Sequence, residues 1–247
     1  MARKNRINEP GYYHIINRGV ERRSIFIEPE DYSLFLDLLL EMKKKFNILI
    51  HSYCLMTNHY HILLETKEIN ISDAIKYLNV TYSKYFNLKY KRVGHLWQGR
   101  FKSYYLYDDA HFWIVAKYIE RNPIKANMTE DINQYSHQSF FQWKYKSEYF
   151  KLLEDSMIFH MTLNEYENYI NTDLQIDALE QIYVSPKIIT KDEQMKILYK
   201  RLEAFFEQDR DVNRNDNIKK AYDYGYTKTE IADFLNLSTK TINVSIN

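Results

Sequence analysis

The chain has 247 residues, 45% of them hydrophobic, a formal net charge of +1 and a single cysteine. That is apolar material for one large or two small packed domains, and a lone thiol excludes an internal disulfide. No apolar run approaches the roughly 18 to 20 residues of a membrane-spanning helix. The polar, basic start at Met1–Pro10 lacks the apolar stretch of a secretory signal, so a cytoplasmic protein with no membrane partner is expected.

Tyr12 to Arg18 is β-prone and bracketed by Gly11 and Gly19. Glu30 to Phe46 carries a helical stripe of Phe35, Leu38, Leu39, Met42 and Phe46, with Pro29 and acids suited to its first turn. Leu49 to Met56 reads as a strand with Cys54 as an inert core thiol. Thr57-Asn58 turns the chain, and His59 to Glu65 returns as the second strand of a hairpin. A second helix is expected over Ser72 to Tyr90, an extended segment over Leu96 to Leu106, and a third helix over Asp108 to Arg121, with Pro123 placed to stop it. The order β-α-β-β-α-β plus a helix predicts an α+β fold: a ferredoxin-like, split βαβ antiparallel sheet.

From Tyr135 to Pro186 the pattern blurs, with helix-like pieces at Lys151–Met161 and Leu163–Ile170. Asp192 to Phe206 is amphipathic, Gln208 to Asn217 reads as a loop, and Ile218 to Asn247 as helical. Near the end, Thr227 and Glu230 have capping-box spacing, and Ile231, Ala232 and Leu235 would face a core. Asn236-Leu237-Ser238 would make a turn into a second helix bearing Thr239, Lys240, Thr241 and Asn243. That pattern resembles a helix-turn-helix, whose second helix could enter the major groove of duplex DNA; a small helical packing module is the alternative.

Charge is unevenly distributed. Ala74 to Tyr107 contains no Asp or Glu but seven Lys or Arg residues, interleaved with Tyr, Trp and Phe. Cations beside aromatics suit a surface that grips phosphates and stacks bases, although a solvated helix face over an aromatic core gives the same composition. His59-Tyr60-His61 on a strand puts both imidazoles on one face. Such a pair is half of a divalent-metal site or a structural coincidence. Tyr118 and Asn122, four apart, share a helix face. A tyrosine beside a metal can attack phosphorus, but Tyr118 is one of 23 tyrosines.

The segments Tyr12-Tyr13-His14, Asn17-Arg18-Gly19, Met56-Thr57-Asn58-His59-Tyr60-His61, Gly94 through Ser103 and Tyr118 through Pro123 occur in this order. Together they resemble the IS200-like single-tyrosine transposases, in particular the REP-associated branch, over about Gly11 to Phe140. The resemblance implies a HUH nuclease in which His59, His61 and Asn122 bind Mg²⁺ or Mn²⁺ and Tyr118 is the nucleophile. Tyr60, between the histidines, departs from the usual aliphatic residue. The implied reaction is nicking and rejoining of single-stranded, hairpin-forming DNA through a 5′-phosphotyrosine. Arg18, Arg100 and Lys102 are the candidate phosphate contacts and Trp97 the candidate for base stacking; His95 reads as a structural histidine. The expected organisation is a nuclease domain over 1–140, a helical connector over 141–186 and a helical helix-turn-helix region over 187–247. A homodimer and a monomer both stay open. So do two other readings, a non-catalytic DNA-binding regulator descended from a transposase and an RNA-processing nuclease.

Overall fold

A computed structural model describes residues 7–106, 109–172, 213–224, 226 and 228–246, together with positions 196, 199, 202, 203 and 206. The chain divides into two units, Met1–Pro186 and Lys187–Asn247.

In the first unit, β1 (Gly11–Arg18), α1 (Pro29–Lys45), β2 (Ile48–Met56), β3 (His59–Thr66), α2 (Ile71–Lys89) and β4 (Lys102–Leu106) follow one another. The strands form one sheet in the order β2-β3-β1-β4, every neighbouring pair antiparallel. This is the expected split βαβ arrangement. Residues paired across a ladder share a face, so the register sorts the side chains. Ile16 pairs with His61 and Lys102, Arg18 with His59, and Cys54 with His61; these point to one side. Tyr60 and Tyr53 point to the other.

The Tyr60 side is covered by α1 and α2. Phe35 of α1 lies 5.0 Å from the Tyr60 ring, and the Tyr60 hydroxyl donates to Asn79 Oδ1 of α2 at 2.9 Å. Phe35, Leu39, Met42, Ile75, Leu78 and Tyr82 are buried in this layer. Truncating Phe35 to Ala there costs about 3 to 5 kcal/mol. Asp31 ties the two helices together. Its carboxylate accepts from the backbone of Ile27 and Glu28 at the start of α1, and from Tyr85, Lys89 and Tyr90 near the end of α2.

The other face carries α3 (Asp109–Glu120) and, after a break at Arg121, the single turn α4 (Asn122–Lys125). Pro123 does not end the helical path. It sits in the first turn of α4, where its missing N–H costs nothing. Beyond it come α5 (Ser139–Tyr145), 3₁₀ turns at Glu148–Leu153 and Met157–His160, and α6 (Leu163–Asn171). Phe140, Leu152, Leu153, Ile158, Tyr166 and Ile170 join the same core as the sheet. The helix-like piece expected over Lys151–Met161 is a pair of 3₁₀ turns. Asp155 takes a left-handed φ of 71°, and the Ser156 hydroxyl accepts the Ile158 N–H at 3.2 Å.

The extended segment expected over Leu96–Leu106 is also only half a strand. Trp97 makes a single bridge to Gly19, Val20 N–H donates to Leu96 O and Gln98 N–H to Arg18 O, and regular pairing begins only at Lys102. This crossing packs residues 96–98 against the end of β1.

In the second unit, α7 (Arg214–Tyr224), α8 (Lys228–Leu235) and α9 (Thr239–Ile246) surround Ile218, Ala221, Ile231, Ala232 and Ile242. α7 begins inside the stretch Gln208–Asn217 that reads as a loop in sequence, with Asn217 N–H already donating to Asn213 O at 2.9 Å. The turn between α8 and α9 uses Asn236 at φ 53° and a Leu237 N–H to Ala232 O bond of 2.9 Å. Ser238 then caps α9 through its hydroxyl and the Thr241 N–H at 3.1 Å. The cap expected from Thr227, positions 208–212 of the expected loop and most of the amphipathic stretch Asp192–Phe206 lie outside the described residues.

Candidate active site

Side-chain alternation on three strands, and α3 crossing above them, bring the reactive groups together. His59 and His61 are two apart on β3, their rings 5.0 Å apart. The Tyr118 ring from α3 stands edge-on to His61 at 5.6 Å and to His14 of β1 at 6.0 Å. His59, His61 and Tyr118 open on a cleft of about 580 Å³ that is also lined by Asn17, Arg18, Gln98, Arg100, Lys102, Asn122 and Lys125. Among the described residues, four cations and no carboxylate line it, the electrostatics of a polyanion site.

Each cleft imidazole has a partner on Nδ1. His59 Nδ1 lies 2.6 Å from Asn58 Oδ1. The Asn58 amide orientation is fixed because its Nδ2 donates to Arg22 O at 3.0 Å. His59 must therefore donate from Nδ1, which leaves a lone pair on Nε2. His61 Nδ1 lies 2.9 Å from His14 Nε2, so Nε2 is again the nitrogen left for the cleft. Burial, with a smaller contribution from Arg18, holds the His59 pKa down to about 4. Burial, then the neighbouring histidines and Arg18, keeps His61 well below its ordinary range, and burial lowers His14 to about 3. All three rings are neutral near pH 7, as metal ligation requires.

Asn122, on α4, donates Nδ2 to Tyr118 O at 2.8 Å, leaving its amide oxygen to offer the cleft. Among the described residues, no group of three His, Cys, Asp or Glu could hold a metal ion. A divalent ion here would need the two imidazoles plus oxygen donors from an amide, water or phosphate. Mn²⁺ accepts that mixed set readily, and Mg²⁺ accepts the oxygens, so the donors fit the ion.

The turn after β1 holds the cleft's edge. A Cβ on Gly19 would sit 2.4 Å from Arg23 O and 2.8 Å from an Ile25 methyl. Only glycine lets the backbone pass there, with Gly19 N–H donating to Asn58 O at 2.9 Å.

Of the residues singled out from sequence, Arg18, His59, His61, Arg100, Lys102, Tyr118 and Asn122 share the cleft. Trp97 is not among its lining residues. Its indole N–H donates to Asn79 O at 3.0 Å, and its ring packs 5.7 Å from Tyr60. Thr239, Lys240, Thr241 and Asn243 are on α9 of the second unit. Thr239 and Lys240 are exposed, while Asn243 Oδ1 accepts from Lys228 Nζ at 2.5 Å. Sequence reasoning gave no role to His14, Gln98 or Lys125. His14 and Arg18 do fall on one strand face, and Lys125 follows Asn122 by three, but the first signal needs the register of the sheet, and the second the path of α4, to be read.

The profile of the family described as "Transposase IS200 like" matches residues 9–122. A solved REP-associated tyrosine transposase, bound in that structure to a REP hairpin, is similar at 16% identity, over 57% of this chain and 84% of that one, with a TM-score of 0.49. A putative transposase from Deinococcus radiodurans is similar at 18% identity, over 49% of this chain and 97% of that one, with a TM-score of 0.35. No curated protein sequence matches.

Proposed function

We propose that this chain, which through residues 9–122 belongs to the IS200-like transposase family, is a divalent-metal-dependent enzyme that nicks and rejoins single-stranded DNA through Tyr118. The observation that carries the proposal is the Tyr118 ring 5.6 Å from His61 inside a cleft that, among the described residues, is lined by four cations and no carboxylate. The substrate class, a hairpin-forming single strand of the REP type, is the one the sequence resemblance implies.

His59, His61 and the Asn122 oxygen would hold Mg²⁺ or Mn²⁺. The bound ion would supply Lewis-acid polarisation of the scissile phosphate. The protein's own groups do the rest. Arg18, Arg100, Lys102 and Lys125 draw the strand in and hold its phosphates. The Tyr118 phenol loses its proton and its oxygen attacks phosphorus. The P–O3′ bond breaks, and the 3′-oxygen takes up a proton and leaves as a hydroxyl. The phosphoester persists as a 5′-phosphotyrosine, so a second strand's 3′-hydroxyl can reverse the step without ATP.

Incubating the protein with Mn²⁺ and a labelled single-stranded hairpin should give a protein–DNA adduct stable on a denaturing gel. Chelating divalent ions should abolish it, as should Tyr118→Phe. An adduct of undiminished yield in the Tyr118→Phe protein removes Tyr118 from the role. The exposed Thr239 and Lys240 on α9 support a separate activity for the second unit, metal-independent binding of duplex DNA. That activity alone, with no adduct, would make the protein a regulator.

A further inference from the structure

His14 is fully buried on β1, opposite Leu63 on one side and Tyr104 on the other. It does not line the cleft. Its ring lies edge to edge with that of His61, with centroids 5.1 Å apart and planes 29° apart, and it meets the Tyr118 ring edge-on at 6.0 Å.

We infer that His14 is a positioning residue: its Nε2 lone pair accepts a hydrogen bond from the Nδ1–H of His61, so that His61 presents the Nε2 lone pair to a divalent ion in the cleft. The inference rests on the metal-binding role proposed for His61.

A neutral imidazole has one N–H and one lone pair. Two imidazole nitrogens 2.9 Å apart must be one donor and one acceptor, so this contact fixes the tautomers of both rings at once. If His14 were the donor, His61 would carry its proton on Nε2 and turn an N–H toward the cleft. A ring in that tautomer cannot ligate a cation. With His14 as acceptor, His61 has the same tautomer that Asn58 Oδ1 imposes on His59, and both lone pairs open on one cleft.

The environment makes this partner necessary. His61 is 3% exposed, and Ile16 stands directly opposite it on β1. Without His14, the Nδ1 proton would lose the acceptor 2.9 Å away and stay buried. An unpaired buried donor is costly, which favours the other tautomer or a rotated ring. Using an uncharged acceptor also has a consequence for substrate. A carboxylate, the commoner partner of a metal-bound histidine, would place negative charge behind a site that a phosphodiester must enter.

The test is calorimetric titration of Mn²⁺ into the metal-free full-length protein, with thermal melting as the fold control. The parent should bind, and a His59→Ala/His61→Ala protein should not. His14→Leu, at an unchanged melting temperature, should weaken binding about 10- to 100-fold. His14→Gln offers a side-chain oxygen to the same proton and should recover affinity to within about threefold of the parent. The inference is overturned if His14→Leu binds like the parent, or if His14→Gln is as weak as His14→Leu. Should the variants not fold, nitrogen-15 NMR of the metal-free parent decides. A proton on His61 Nδ1 upholds the inference and a proton on His61 Nε2 overturns it. Mn²⁺ binding that survives the double alanine substitution would instead defeat the metal-binding reading itself.

Discussion

Lys125 shows how a side chain outside any motif can enter a site. It is exposed, yet its ammonium lies 5.5 Å from the centroid of the Tyr118 ring and it lines the same cleft. Each phosphate neutralised by a cation adds about 0.7 to the salt slope of single-strand binding. Lys125→Gln should therefore weaken binding of a single-stranded hairpin and lower the slope of log K against log salt by about 0.7, without altering the fold. Fluorescence anisotropy over a salt series reads both quantities, and an unchanged slope would remove Lys125 from the phosphate path. Asn58 makes a complementary case. Its side chain spans the turn, from Arg22 O to His59 Nδ1, and carries no charge. Asn58→Ala should weaken Mn²⁺ binding about 10-fold through His59 while leaving the salt slope of DNA binding unchanged; calorimetry and the same anisotropy series separate the two effects. The histidine pair, Tyr118 and Asn122 were legible from strand alternation, helical spacing and the resemblance. His14 and Lys125 were not, because their proximity to the site depends on how β1 is registered against β3 and how α4 turns after Arg121.

At the scale of elements, Glu120 holds α3 to its neighbours. It is fully buried. Its carboxyl accepts from Ser139 Oγ, from Ser52 Oγ at 2.9 Å and from the Phe140 N–H at 3.1 Å, so α3, β2 and α5 meet on one group, two residues from the tyrosine. Burial outweighs these hydrogen bonds and raises its pKa to about 7. The native state therefore keeps a proton that the unfolded chain has already lost above its ordinary value near 4.5. The contribution of Glu120 to stability is full below that value, falls as pH rises from there to about 7, and is flat beyond. Over the window the loss is about 3 kcal/mol. Buried neutral histidines act in the opposite sense. His14, His59 and His137 are depressed by burial, and their contribution is lost as pH falls below their ordinary value and the unfolded chain takes up protons. The whole-protein profile mixes the two, so the informative quantity is a difference. Urea unfolding of the parent and of Glu120→Gln from pH 5 to 8 should show the variant gaining on the parent as pH rises. A constant difference would mean that Glu120 is ionised throughout.

The elements that were legible in sequence are those whose periodicity alone decides them. α1 and α2 are long amphipathic helices, and β1, β2 and β3 are bounded by glycines or a tight turn. The 3₁₀ turns between α5 and α6 were not legible, because their conformation is set by contacts remote in sequence. Lys43 Nζ, for example, reaches the carbonyls of Lys151, Leu152 and Glu154, more than a hundred residues away. α5 itself is only seven residues long, too short for a periodic signal. The half-formed strand before β4 reflects the crossing over Gly19, a backbone contact that no side-chain pattern announces.

At the scale of the whole molecule, the two units present different chemistry, and full-length variants can separate them. The first unit offers a recessed cleft lined by Tyr118, the nucleophile proposed above, and the proposal has a single strand's phosphates threaded past its side chains. In the second, α9 is capped by Ser238 and exposes Thr239, Lys240 and, at 79%, Val244. A helix that presents hydroxyl, ammonium and methyl groups outward from an otherwise closed core has what a major groove reads, since thymine offers a methyl group and every base pair offers acceptors. Lys240 supplies one charge to that face, so Lys240→Ala should weaken duplex binding several-fold at low salt and lower the salt slope by about 0.9. Adduct formation on a single-stranded hairpin should be unaffected, because the cleft does not include Lys240. Gly19→Ala should give the converse result. Forcing apart Gly19 and Arg23 O disturbs the turn that carries Asn58, so adduct formation falls while duplex binding by α9 is retained. Electrophoretic mobility of a duplex target and denaturing-gel adduct yield, measured on both full-length variants, test the division together. If Lys240→Ala lowers both activities, the two units share one DNA substrate, and if it lowers neither, α9 is a packing helix.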